Sequence, residues 1–167
     1  MQATGLDRLN AADADDARAL LLACAAVPRW AQEMVRGRPY ASVEDALDAA
    51  RSVADPWSDE EVDAALARHP RIGERAEGAD PDAAHSRREQ AGVAAVDGDV
   101  RRRLTEGNRA YEERFGHVFL IRAAGRGPEE ILAALDERLG NDPATERRIA
   151  AEQLREIAVL RLEGELS

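Results

Sequence analysis

Three polar features of this chain have the residue types for acid-base chemistry. The first is Arg68-His69-Pro70-Arg71-Ile72-Gly73-Glu74, which sets a histidine where one helix is expected to stop. Proline disfavours the α conformation in the residue before it, so Pro70 pushes His69 to extended angles and turns its imidazole off the helical surface. A helix C-terminus also favours the protonated ring, which suits a proton donor near neutral pH. A surface histidine that merely ends a helix has the same local sequence.

The second feature is Ser86, Glu89 and Gln90 within Ser86-Arg87-Arg88-Glu89-Gln90-Ala91-Gly92. The spacing i, i+3, i+4 puts all three on one helical face, with Arg87 and Arg88 turned elsewhere. A hydroxyl, a carboxylate and an amide together can orient a polar substrate, although a solvated helix face reads the same way. The third is Arg161, which continues the stripe Leu154, Ile157, Ala158 where an apolar residue is due. A guanidinium there needs a partner or an anionic ligand, because burying it unpaired is costly, unless it snorkels to solvent. Asn108, Tyr111 and Phe115 align at i, i+3, i+7 and fit a contact between helices.

Several chemistries lack their residues. His69, His85 and His117 form no His-Glu-x-x-His pattern, and the lone Cys24 excludes a thiolate cluster, so no metal is expected. All 23 basic residues are arginine, which leaves no lysine for a Schiff base. A phosphate-cradling glycine loop and a Gly-x-Ser-x-Gly elbow are both missing. The expected site is free of cofactors.

Elements that would position these residues can be read from caps and stripes. Sparse aromatics and an excess of Ala, Leu, Glu, Asp and Arg predict an all-α protein. With 167 residues and 44% apolar content there is enough to build one core, so a single domain over residues 1–167 is expected, a bundle of about seven to nine helices. Ala17, Leu20, Leu21 and Cys24 predict a helix from about Asp13 to Ala26. Pro28 opens a second that ends near Gly37, and Ser42 with Asp45 caps a third that stops at Asp55-Pro56. Ser58 and Glu61 form a capping box for a helix to about Arg68. A loop from Gly73 to Ala83 follows, then helices from about Ala84 to Val96 and Asp99 to Arg114. Val118-Phe119-Leu120-Ile121 is either extended or a buried helical turn. Pro128 and Pro143 open the last two helices, to about Leu139 and Leu162.

A net charge of -10 argues against nucleic acid or an anionic membrane as partner, since both need a basic face. Cys24 sits in an apolar run and reads as core filler, with no intrachain disulfide possible. No charged leader precedes an apolar stretch, no run approaches ~18 apolar residues, and the end lacks a Ser-Lys-Leu address. The cytoplasm is the expected compartment.

Taken in order, these blocks resemble the 2-oxo-4-hydroxy-4-carboxy-5-ureidoimidazoline (OHCU) decarboxylases of urate catabolism. The resemblance runs from Leu9-Asn10, Trp30-Ala31 and Arg38-Pro39 to Asn141 and Glu146. It is most specific at His69-Pro70-Arg71-Ile72-Gly73, Ser86-x-x-Glu89-Gln90-x-Gly92, Asn108-x-x-Tyr111 and Phe115-Gly116-His117-Val118-Phe119. It implies an all-α, cofactor-free homodimer that decarboxylates a small anionic ureidoimidazoline to (S)-allantoin.

By the same resemblance His69 and Glu89 are the catalytic pair, His69 as proton donor and Glu89 steering the imidazole or the substrate hydroxyl. Pro70 sets the direction of the ring, and Ser86 and Gln90 hydrogen-bond the hydroxyl and ureido groups. Phe119, Leu120, Ile121 and Ala123 line the pocket with backbone donors and acceptors, and Arg161 answers an anionic part of the substrate. One position departs from the family: Arg122 stands where a small residue such as cysteine is expected. Alternation along an extended run points it outward, opposite Phe119 and Ile121. Two other readings remain at this stage, a catalytically silent helical interaction module and an enzyme for a related ureido or imidazoline acid. The loop Glu74 to Pro81 has the composition of a segment that can close over a site.

Overall fold

The computed structural model describes residues 2–72, 81–91 and 98–167. Among these the chain forms nine α-helices and no strand. They are α1 (Gly5–Ala11), α2 (Ala14–Cys24), α3 (Pro28–Arg36), α4 (Val43–Val53), α5 (Asp59–Leu66), α6 (Pro81–Glu89), α7 (Gly98–Phe115), α8 (Pro128–Leu139) and α9 (Pro143–Leu166).

Most boundaries have a local chemical cause. Asp13 and Ser42 accept the backbone N–H of the third residue after them, capping α2 and α4. At α5 the Ser58 hydroxyl accepts from the Glu61 N–H while the Glu61 carboxylate accepts from the Ser58 N–H, at 3.1 and 2.9 Å. Pro28 and Pro128 occupy the first turns of α3 and α8, where a missing N–H costs nothing. Past α7, Gly116 stops the chain at φ 78°, a left-handed angle that suits glycine.

The differences from the sequence reading are small and have reasons. Helix α1 was not expected: a Thr4–Asp7 capping box starts it, but with seven residues and Leu9 as its one buried large apolar side chain it has no readable stripe. Helix α5 ends at Leu66 rather than Arg68, with His69 N–H bonded back to the Leu66 carbonyl at 3.1 Å as a tightened last turn. Helix α6 starts at Pro81 and stops at Glu89, and α9 continues to Leu166. The expected loop at 73–83 falls mostly outside the described residues, as does the end of the expected helix to Val96.

The chain divides into two compact units, residues 1–65 with 155–167, and residues 66–154. In the first, Trp30 is wholly buried, its Nε1 donates to the Ala50 carbonyl at 3.1 Å, and its ring meets that of Trp57 edge to face at 6.2 Å. Arg38 Nη1 donates to the carbonyls of Leu9 and Ala12, both at 2.7 Å, satisfying the open end of α1. Asn10 and Tyr40 exchange side-chain-to-backbone bonds of 2.9 Å beside them. Two charged or polar side chains thereby fix α1 to the α3–α4 connection.

In the second unit, Ile72, Val100, Leu104, Tyr111, Phe119, Ile121, Ala123, Ile131, Leu132 and Leu135 make one apolar cluster. It joins four separate pieces of sequence. These are the connection after His69, helices α7 and α8, and the run Phe119–Ala123.

Candidate active site

His69 and Pro70 are half-buried and leave α5 on a connection that is tied down just beyond them. Arg71 Nε donates to the Glu112 carboxylate of α7 at 2.8 Å. Ile72 is 5% exposed within the apolar cluster, and its carbonyl accepts from Asn108 Nδ2 at 2.8 Å. The histidine therefore sits within three residues of two anchors on α7. Sequence spacing assigned Asn108 to a generic helix contact; its partner is the backbone of the histidine motif.

The Ser86/Glu89/Gln90 group closes the end of α6. Ser86 is 4% exposed, while Glu89 and Gln90 are half-buried. Gln90 lies just past the helix, and its N–H bonds to the Ser86 carbonyl at 3.1 Å, so the intended face persists through the last turn. His85 is buried beside Ser86 and its Nδ1 lies 2.9 Å from Arg88 Nη2. Arg88 is thus engaged by a neighbour on its own helix.

Phe119, Leu120, Ile121 and Ala123 are all buried in a run without regular secondary structure. Behind it stands a charged network that sequence reasoning missed. Glu146 of α9, 0% exposed, receives Arg138 Nε of α8 at 2.7 Å and the Tyr111 hydroxyl of α7 at 2.5 Å on Oε1. Asn141 Nδ2 donates to Oε2 at 3.1 Å. Arg138, 6% exposed, sends Nη1 to the Leu120 carbonyl at 2.6 Å and lies 4.6 Å from the Phe119 ring centroid. Burial, and then the bond to Glu146, raise the Tyr111 pKa far above its ordinary value of 10, so the phenol remains a donor. A signal for this network existed. Arg138 continues the stripe Ile131, Leu135, and Glu146 begins the stripe Ala150, Leu154, the same irregularity that singled out Arg161.

Arg161 belongs to the other unit. It is 4% exposed, so it does not snorkel, and its Nη1 donates to the Ala23 carbonyl at 3.2 Å in the last turn of α2. Leu154, Ile157 and Ala158, the rest of its stripe, are buried as expected. Arg122 is half-buried, less exposed than a plainly outward side chain, and its N–H donates to Gln153 Oε1 at 2.9 Å. The structure thus unites the His69–Ile72 connection with the Phe119–Ala123 run through one apolar cluster, and keeps Ser86, Glu89 and Gln90 together on one helix end. Among the described residues, no three His, Cys, Asp or Glu side chains gather as metal ligands do. No described helix is long and apolar enough to cross a membrane.

The family model for OHCU decarboxylase matches residues 10–163, which takes in every one of these features. The chain belongs to the OHCU decarboxylase family. It is 36% identical over 129 residues to the 2-oxo-4-hydroxy-4-carboxy-5-ureidoimidazoline decarboxylase of Amia calva, covering 76% of this chain and 74% of that protein. It is 31% identical over 134 residues to the decarboxylase of the same description from Haloferax volcanii, covering 80% and 79%. A crystal structure of OHCU decarboxylase in the presence of (S)-allantoin is similar to it with a TM-score of 0.73 and 28% identity, over 86% of this chain and 94% of that one. The all-α architecture expected from the sequence is the architecture of this family.

Proposed function

We propose that this protein decarboxylates OHCU to (S)-allantoin, with His69 and Glu89 as its catalytic residues. The observation that carries the reading is the family match across residues 10–163, with His69, Ser86, Glu89, Gln90 and Arg161 all present in the chain. The low exposure of Ser86 and Arg161, 4% each, is consistent with that reading.

The substrate needs little beyond orientation and proton transfer. Its C4 carries both the carboxylate and a hydroxyl, and C5 is an imine carbon. As carbon dioxide leaves, the C4 electron pair forms a C4=C5 bond and the ring nitrogen takes a proton. The C4 hydroxyl then gives up its proton to become a carbonyl while C5 takes one on a single face. No outside electron acceptor enters this balance.

His69 supplies the C5 proton, aimed by Pro70 and the anchored connection behind it. Glu89 steers the imidazole or accepts from the substrate hydroxyl. Ser86 and Gln90 hold the hydroxyl and ureido groups, the run Phe119, Leu120, Ile121 and Ala123 offers backbone groups, and Arg161 answers the anion. A homodimer acting in the cytoplasm without metal or cofactor completes the proposal. The test is carbon dioxide release from OHCU generated in place from urate, with and without the protein. Acceleration supports the reading; a rate equal to spontaneous decay overturns it and leaves a silent helical module or an enzyme for a related ureido or imidazoline acid.

A further inference from the structure

We propose that Arg138, locked by Glu146 and Tyr111, is a positioning residue that sets the backbone of the Phe119–Ala123 run for substrate. The inference rests on the function proposed above and assigns that reaction a device lying behind the pocket wall.

The Leu120 carbonyl is taken by Arg138 Nη1 at 2.6 Å and the Arg122 N–H by Gln153 Oε1 at 2.9 Å. Two backbone groups of the run are therefore held by side chains from α8 and α9. Ile121 and Ala123 flank the Arg122 tether, and a substrate that binds to the backbone of this run meets their groups. A shift of the held groups at Leu120 and Arg122 carries Ile121, which lies between them, along with it.

Arg138 can hold this geometry because it has little freedom. Its Nε and Nη2 lie 2.7 and 2.5 Å from one oxygen of a wholly buried Glu146, which Tyr111 and Asn141 also bind. Rotating the guanidinium away strands a buried carboxylate, which is strongly unfavourable. Stability alone does not demand such a pair, since apolar residues of similar volume pack as well or better. The bond to Leu120 and the contact with Phe119 are what an apolar replacement loses.

The test uses the full chain carrying R138M together with E146Q, which removes both charges and keeps an acceptor for Tyr111, and separately Gln153→Leu, which cuts the second tether. Steady-state kinetics and the enantiomeric excess of the allantoin are measured with far-UV circular dichroism as the folding control. The double variant is expected to fold, lose about 10- to 100-fold in kcat and give allantoin of lower enantiomeric excess. Gln153→Leu is expected to shift both in the same direction by less. A folded double variant with wild-type kcat and enantiomeric excess overturns the proposal. If the double variant does not fold, an unchanged enantiomeric excess in Gln153→Leu overturns it instead. Wild-type protein without activity overturns the proposed function and this inference together, whereas active wild type with unaltered variants overturns this inference alone.

Discussion

Asn108 donates from Nδ2 to the carbonyl of Ile72 at 2.8 Å, across 36 positions of sequence. Both residues are buried, and the bond fixes the connection that carries His69 and Pro70 onto α7. With the Arg71–Glu112 pair next to it, the bond ties down the backbone just beyond a histidine that lies outside any helix. An imidazole that must protonate one face of a planar carbon needs such a mount.

Replacing Asn108 by leucine keeps volume but leaves the Ile72 carbonyl buried without its donor. A loss of about 1–3 kcal/mol in unfolding free energy is expected by urea titration, together with a fall in kcat larger than any change in KM. Unaltered kcat in a folded Asn108→Leu protein would show that the mount does not matter for turnover.

Arg161 is the proposed partner of the substrate's anionic part, and its buried position gives the charge-assisted bond little competition from water. Arg161→Gln is expected to raise KM by about tenfold or more, from the roughly 1.5–3 kcal/mol typical of such a bond. Saturation kinetics on OHCU measure this directly. A KM equal to wild type assigns Arg161 only to its Ala23 contact.

Gly5 opens α1 against the end of α9, and both belong to the first unit. A Cβ there would press inside contact distance of the Glu165 carbonyl oxygen and lie 2.6 Å from Leu166 Cα, and neither backbone atom can step aside. Alanine gains up to about 1 kcal/mol of helix propensity, but overpacking against backbone costs about 1–3 kcal/mol. The clash wins. Gly5→Ala should lower Tm, and a rise in Tm would contradict the packing.

Acid should weaken α5 first at its cap. Burial alone would raise the Glu61 pKa, yet the Ser58 N–H and the Arg29 guanidinium outweigh it and bring it below the ordinary 4.5. Because the folded value lies below the unfolded one, this stabilisation is fully present above pH 4.5 and fades as pH falls through the folded value. Arg29 is 48% exposed, so the effect is at most about 1 kcal/mol. Unfolding of wild type and Glu61→Gln, compared from pH 7 down to strong acid, should show a gap at neutral pH that closes in acid. A gap that widens on acidification contradicts this account.

Helix starts were legible because a cap is a local event: Ser42, Ser58, Pro28 and Pro128 each carry their signal within four residues. Helix α1 escaped because its capping box precedes only seven residues. The conformation of Phe119–Ala123 could not be read from periodicity, since it is set by Arg138 and Gln153 from distant helices. Arg138 and Glu146 each had a satisfactory surface explanation, an arginine in a last helical turn and an acid in a first one. Only the fold shows that they face each other out of water. Arg161 interrupts an apolar stripe in the same way, and there too burial rather than spacing excludes a snorkelling side chain.

The central claim is that His69 delivers a proton to one face of the intermediate. The most direct measurement is circular dichroism of the allantoin formed from OHCU generated in place from urate, by wild type and by His69→Ala at equal concentration. Wild type should form (S)-allantoin faster than spontaneous decay, while a His69→Ala protein with the same helical spectrum should give racemic product at the spontaneous rate. Stereoselective, accelerated turnover by folded His69→Ala, or racemic product from wild type, would contradict the account.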